Sequence, residues 1–216
     1  YGEDFLRDIY VRAKPDYSGR VTVPVLWDKK RETIVSNESS EIMRMLNHAF
    51  DQWGRTDIDL YPDQHRQAID AINALVYADI NNGVYRAGFA TIQTAYEAAY
   101  DRLFAALNEL EMRLSRQRYL VGNQPTEADW RLFPTLVRFD AVYYGHFKCN
   151  RQRLVDYPSL WAYTRDLYQQ PGVAETVDFD HIKRHYYLTH NRINPTGVVP
   201  AGPKLDFWAP HGREAL

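Results

Sequence analysis

The sequence predicts a small α/β unit followed by an all-α bundle, on three observations. Two short β-branched stretches flank a polar turn near the N-terminus and lead into a helix start. Apolar residues then recur at helical spacing from residue 64 to about residue 190. Beyond that, proline and glycine interrupt every regular pattern. The implied division is 1–53 for the α/β part, 60–190 for the helical domain and 191–216 for an irregular tail.

Each element has its own signature. Arg20–Leu26 (RVTVPVL) lies between Gly19 and the turn Asp28–Arg31, and Glu32–Val35 (ETIV) follows. The two read as a hairpin with a turn of about five residues. Ser36, Asn37 and Ser39 favour a helix start, and Glu38 and Glu41 place negative charge at its first turn. Ile42, Leu46 and Phe50 then recur at helical spacing. Ala68, Ile72, Leu75, Val76 and Ile80 share one face within 64–82. Ile92, Tyr96, Ala99, Leu103, Leu107, Leu110 and Leu114 form a long stripe within 91–118. Trp130, Phe133, Val137 and Ala141 line a helix over 126–145, in which Pro134 predicts a kink. A shorter helix follows Pro158, and another carries Phe179, Ile182 and Tyr186. Amphipathic helices joined by short links make an antiparallel bundle. In the tail, Val198, Val199, Leu205, Phe207 and Trp208 are too apolar for a solvated segment, so docking is expected, on this domain or across a subunit boundary.

Composition narrows the function. In 216 residues, 45% are apolar and 25% charged, with a net charge of −2. That balance argues against a nucleic-acid surface. No window approaches the ~18 uninterrupted apolar residues of a membrane span, and Tyr1–Tyr10 carries charges throughout, unlike a signal peptide. A single cysteine excludes an internal disulfide framework and a Cys-rich metal site, which fits a reducing, cytoplasmic setting. Sixteen tyrosines offer apolar bodies with polar tips, suited both to packing and to a pocket for a flat, partly polar ligand.

Three stretches bear on chemistry. In Val23-Pro24-Val25, a proline just inside a strand marks an edge, a bulge or a cis bond, and a cis bond would offer the Val23 N–H and C=O to a ligand peptide. At Ser36–Ser40, free N–H groups at a helix start can bind a carboxylate, while Glu38 can receive an ammonium. The pair would suit an amino-acid zwitterion, although plain helix capping uses the same residues. Thr126 with Asp129 is a variant capping box of structural role. His181 and His185 have i, i+4 spacing, but Lys183, Arg184 and the lack of a carboxylate motif weigh against a metal, and none is expected.

The order VPVL, NESSEI and YLVGNQPTEADW resembles that of glutathione transferases. GRVTVPVLWD, IVSNESSEI, INNGVYRAGFA, LVRFDAVYYGHFKCN and HIKRHYYLTHNRINPTGVVPAGP resemble the Xi class, the glutathionyl-hydroquinone reductases, from about Asp16 to Pro203. The resemblance implies the C-terminal part of a thioredoxin-like domain, then a transferase-type helical bundle, in a dimer. It also implies glutathione as co-substrate, bound through Arg20, Val21, Thr22, Val23, Pro24, Glu38 and Ser39. Its chemistry is reduction of glutathionyl-hydroquinones through a cysteine mixed disulfide. Tyr85 matches a proton donor and acceptor, and Tyr143 and Tyr186 match residues that lower the cysteine pKa. Tyr144 and Tyr187 are the alternatives to these two, since helix neighbours point about 100° apart. The family's nucleophilic Cys-Pro-Trp motif would precede Tyr1, so the nucleophile is expected outside this chain. Cys149 matches a non-catalytic position. Two alternatives remain: thiol transfer by a related transferase, or a non-catalytic ligand-binding or dimerisation module if Tyr1 is the true start.

Overall fold

The protein, described by a computed structural model over residues 1–54 and 57–216, divides into two compact units, Tyr1–Tyr61 and Pro62–Leu216.

The first unit opens with a helix that is not among the expected elements, α1 (Leu6–Ala13), although Leu6, Ile9, Tyr10 and Ala13 stand at helical spacing. Asp8 accepts from the Phe5 N–H at 3.2 Å, closing the helix start. The hairpin pairs β1 (Leu26–Asp28) antiparallel with β2 (Thr33–Ser36), in the register Trp27 to Ile34 and Asp28 to Thr33. Asp28 Oδ1 receives the Lys30 and Arg31 N–H groups at 2.8 and 3.0 Å, and Glu32 takes a left-handed φ of 51°. The turn is therefore a side-chain-pinned one.

The first strand is shorter than the expected 20–26. Pairing begins only at Leu26, because Pro24 has no N–H to donate and no described strand lies beside Arg20–Val25. Helix α2 (Ser39–His48) starts with Glu38 as its N-cap residue rather than inside its first turn.

The second unit is helical. Helix α3 (Arg66–Leu75) widens into a π turn over Val76–Asn81 and continues as α4 (Asn82–Gly88). Its core face holds Ile69, Ile72, Val76 and Ile80. Ala68, expected on that face, is exposed and Ile69 takes its place. Helix α5 (Gln93–Leu114) packs against α4 and against α7 (Pro158–Tyr168). Only its second half, Leu103 to Leu114, is core, whereas Ile92 is exposed.

Helix α6 (Glu127–Arg138) contains Pro134 without ending there, and passes into a second π turn over Phe139–Tyr143. Helix α8 is Phe179–Thr189.

The capping box is built around a fully buried carboxylate. Asp129 accepts from the Thr126 N–H and hydroxyl (2.7 and 2.9 Å), the Leu120 N–H (2.9 Å) and the Tyr163 hydroxyl (2.7 Å). Four donors offset the cost of burying this oxygen pair.

The tail docks on the helical unit. Arg213 is buried and donates to the carbonyls of Gln117 and Arg118 at 2.7 and 2.8 Å. Lys183 of α8 donates to the carbonyls of Pro200 and Ala201 at 3.1 and 3.2 Å, and Gln169, just past α7, donates to that of Phe207 at 2.7 Å. Phe207 is buried, while Val198 and Trp208 stay exposed despite their apolar character. Among the described residues no helix is long and apolar enough to cross a membrane.

Candidate functional site

In the first unit, the Val23–Pro24 bond is cis and the Val23 side chain is 77% exposed. No hydrogen bond within the described unit uses the Val23 backbone. Arg20, Val21, Thr22 and Pro24 are exposed as well, as are Glu38 and Ser39 at the start of α2. Ser36 is buried and receives the Glu38 N–H at 3.1 Å, while its own hydroxyl donates to Glu41 at 2.8 Å. The Glu38 carboxylate is thereby spared from capping its own helix, for which no side-chain cap bond exists.

One phenol organises these segments. Tyr10 of α1 is buried; its hydroxyl donates to the Thr22 carbonyl at 2.7 Å and lies 3.3 Å from the Thr22 N–H. The Asn37 side-chain amide donates to the same oxygen at 3.2 Å. Tyr10 is not among the residues the sequence singles out, because α1 has neither a long apolar stripe nor a strong cap. Its signal is its place with Leu6, Ile9 and Ala13 at helical spacing in one short segment.

In the second unit, three of the sequence-selected tyrosines meet. Tyr186 Oη lies 2.5 Å from Tyr85 Oη and 2.8 Å from Tyr143 Oη. Tyr85 comes from α4, one turn after the first π turn; Tyr143 ends the second; Tyr186 comes from α8. Tyr144 and Tyr187 are half-buried and outside this trio. Tyr187 instead packs on His146, with ring centroids 4.5 Å apart. The π turn explains the choice of Tyr143 over Tyr144. The Tyr144 N–H reaches back five residues, to Phe139 at 2.9 Å. The extra residue rotates the next side chains relative to their directions in a plain α-helix.

The direction of this hydrogen-bond chain is set by burial. Tyr143 is 2% exposed, and the nearest hydroxyl to its own is that of Tyr186, at 2.8 Å. A buried O–H that donates to nothing costs roughly 1–3 kcal/mol, so Tyr143 donates to Tyr186. Tyr186, also buried, then donates to Tyr85. The Tyr85 proton is left over, on a side chain 38% exposed. Burial first, and then the neighbouring phenols Tyr186 and Tyr85, push the Tyr143 pKa well up, and burial with Tyr85 raises that of Tyr186. Both inner phenols therefore stay neutral donors, and the chain delivers one polarised O–H at its outer end.

Phe147 supports the trio, stacked on Tyr143 at 5.5 Å and edge-on to Tyr85 at 5.4 Å. Its place depends on Gly88, where an added Cβ would lie 2.2 Å from Phe147 Cγ. Beside it, His146 Nε2 lies 3.1 Å from His190 Nδ1. Burial, with His190 and Lys148 nearby, pushes the His146 pKa down to about 4. His181 and His185 form no metal cluster, and among the described residues no group of three or more ligating side chains occurs. Cys149 is buried, and burial pushes its thiol up to about 12 against a small opposing effect of Lys148. It lacks the exposed, electropositive surroundings of a reactive thiol.

Comparison with known proteins places this architecture. Residues 5–49 match the glutathione S-transferase N-terminal domain family, and residues 93–166 match the glutathione S-transferase C-terminal domain family. The chain is 56% identical over 214 residues to glutathionyl-hydroquinone reductase YqjG of Escherichia coli, covering 99% of this chain and 65% of that protein. It is 54% identical over 202 residues to glutathionyl-hydroquinone reductase PcpF of Sphingobium chlorophenolicum, covering 94% and 64%. The glutathione-bound structure of YqjG superposes with a TM-score of 0.97 at 55% identity, over all of this chain and 70% of that one. The Xi-class enzyme structure from Natrialba magadii gives 0.97 at 54% identity, over 99% and 65%.

A thioredoxin-like part followed by a helical bundle of this kind defines a glutathione transferase. Within that family the chain belongs to the Xi class. It spans just under two thirds of the length of the curated relatives it matches.

Proposed function

We propose that the protein carrying this chain reduces glutathionyl-hydroquinones with glutathione as co-substrate. The observation that carries the reading is the one-way phenol chain from Tyr143 through Tyr186 to Tyr85, in a chain 56% identical to a protein named for that reaction. A cysteine thiolate, supplied by sequence outside Tyr1–Leu216, attacks the glutathionyl sulfur. A Cys–S–S–glutathione bond forms and the sulfur–aryl carbon bond breaks. Its electron pair stays on the ring, which takes up a proton and leaves as hydroquinone. A second glutathione thiolate then attacks the mixed disulfide, releasing oxidised glutathione and the cysteine thiolate.

The chain's own residues supply two things. Arg20, Val21, Thr22, Val23 and Pro24 offer backbone and side-chain contacts to the glutathione peptide, while Glu38 and Ser39 take its γ-glutamyl end. Tyr85 serves as proton donor and acceptor for the ring, and Tyr143 and Tyr186, whose own protons are committed to the chain that polarises the Tyr85 O–H, stabilise the thiolate through it and so lower its pKa. Thiol transfer between two sulfurs, the competing chemistry, needs no protonated carbon and gives such a phenol no task. We also propose a homodimer in a reducing cytoplasm, where reduced glutathione is abundant; the first is checked by the mass of the native particle in solution.

The test uses the full-length protein with an S-glutathionyl hydroquinone and glutathione. Hydroquinone and oxidised glutathione should appear in equal amounts. Tyr85→Phe should slow hydroquinone release by about a hundred-fold with glutathione affinity unchanged. Glu38→Ala should weaken glutathione about ten-fold or more. Thiol transfer without any hydroquinone release, or equal effects of both changes on glutathione affinity, would overturn the reading.

A further inference from the structure

Phe89 directly follows α4, and its N–H donates to the Tyr85 carbonyl at 2.9 Å, so the two side chains stand one helical turn apart. Their rings are nearly parallel, 19° apart, with centroids separated by 6.3 Å. Phe89 is 50% exposed, which is unusual for a ring so firmly supported. Phe147 packs behind it at 5.2 Å and His190 at 5.0 Å. Gly88 is what lets Phe147 come this close. The result is a fixed aromatic ring with an open side, beside a phenol whose proton the chain from Tyr143 through Tyr186 leaves pointing outward.

A ligand that satisfies both features has a flat apolar body and an atom at its edge able to exchange a proton. We propose that Phe89 is the ring-binding, specificity-determining residue for the aromatic leaving group, stacking the hydroquinone so that it meets the Tyr85 hydroxyl. This rests on the reductase reading and deepens it. Aromatic pairs prefer offset or edge contacts and add attraction beyond area burial. A larger ring system therefore gains more from Phe89 than a single ring does. Because Phe89 is preorganised by Phe147 and His190, little freedom is lost on binding.

The experiment compares the full-length protein with Phe89→Leu and Phe89→Tyr, on an S-glutathionyl benzohydroquinone and an S-glutathionyl naphthohydroquinone. Phe89→Leu keeps an apolar side chain against Phe147 and His190 but removes the ring. It should raise KM about five-fold for the one-ring substrate. The rise should be larger for the two-ring substrate. Phe89→Tyr should restore the parent KM values. An unchanged KM in Phe89→Leu, or the same factor for both substrates, would overturn the assignment.

Should the parent protein turn over neither substrate, the reductase reading falls, and the ring subsite is read separately from equilibrium binding of 1-naphthol. Weaker binding of 1-naphthol to Phe89→Leu, restored in Phe89→Tyr, would uphold the subsite; equal binding to parent and Phe89→Leu would dismiss it.

Discussion

Tyr143 Oη lies 2.8 Å from Tyr186 Oη, its nearest hydrogen-bond partner among the described residues. A phenol that reaches no ligand thereby fixes which way the next two protons point. Tyr143→Phe should free Tyr186 to turn its hydroxyl either way, so that Tyr85 is no longer compelled to present its proton. The expected result is a kcat about five-fold lower with KM for the quinol conjugate unchanged, and a stability loss of about 1 kcal/mol. Steady-state kinetics and urea unfolding measure the two effects; an unaltered kcat would contradict the one-way chain.

Gly88 is a packing requirement as well as a helix end. A methyl group there would overlap the Phe147 ring, with 2.2 Å to Cγ and 2.3 Å to Cδ1. Moving Phe147 disturbs Tyr143 and Phe89 together. Gly88→Ala should therefore destabilise by roughly 1–3 kcal/mol, although alanine is ordinarily the better helix former. A shifted urea midpoint with an unchanged slope is the expected signature.

Cys149 should behave as an apolar side chain. With its thiol pushed up to about 12 by burial, almost no thiolate exists near neutral pH. Iodoacetamide should leave Cys149 unmodified in the native protein and alkylate it readily in denaturant, as peptide mass mapping would show. Rapid native-state labelling would disprove this.

The His146–His190 pair predicts an acid-side loss of stability. The His146 pKa falls from an ordinary 6.5 to about 4 through burial, His190 and Lys148, and burial with His185 also lowers that of His190. A depressed pKa means that the folded state binds fewer protons than the unfolded chain. Its stabilisation is complete above about pH 6.5 and is lost as pH falls toward about 4. Unfolding midpoints taken across that window should drop, and His146→Phe should flatten the decline.

The long elements are legible in the sequence because their period is long. Leu103 to Leu114, and Thr126 with Asp129, identify α5 and the start of α6 without any structure. The two π turns are not legible: a widened turn breaks the period for only one residue, and no composition marks it. That is why the periodicity does not separate Tyr143 from Tyr144; Ala68 is misplaced for a simpler reason, since it and Ile69 both stand about one turn before Ile72 and the larger side chain takes the buried position. The strand expected over 20–26 is too long for another reason. β-branched residues favour extended backbone, but a ladder also needs a partner and donors, and Pro24 supplies no donor. Motifs draw attention to these tyrosines, whereas their hydrogen-bond order depends on residues up to 101 positions apart.

A single oxygen on Tyr10 touches both the stretch before Pro24 and the residue before Glu38. It therefore acts as a spacer gauge, setting how far a peptide edge lies from an acidic helix entrance. A tripeptide held at both places would be measured for length as well as for chemistry. α1, a helix of only eight residues, is what keeps that ruler straight.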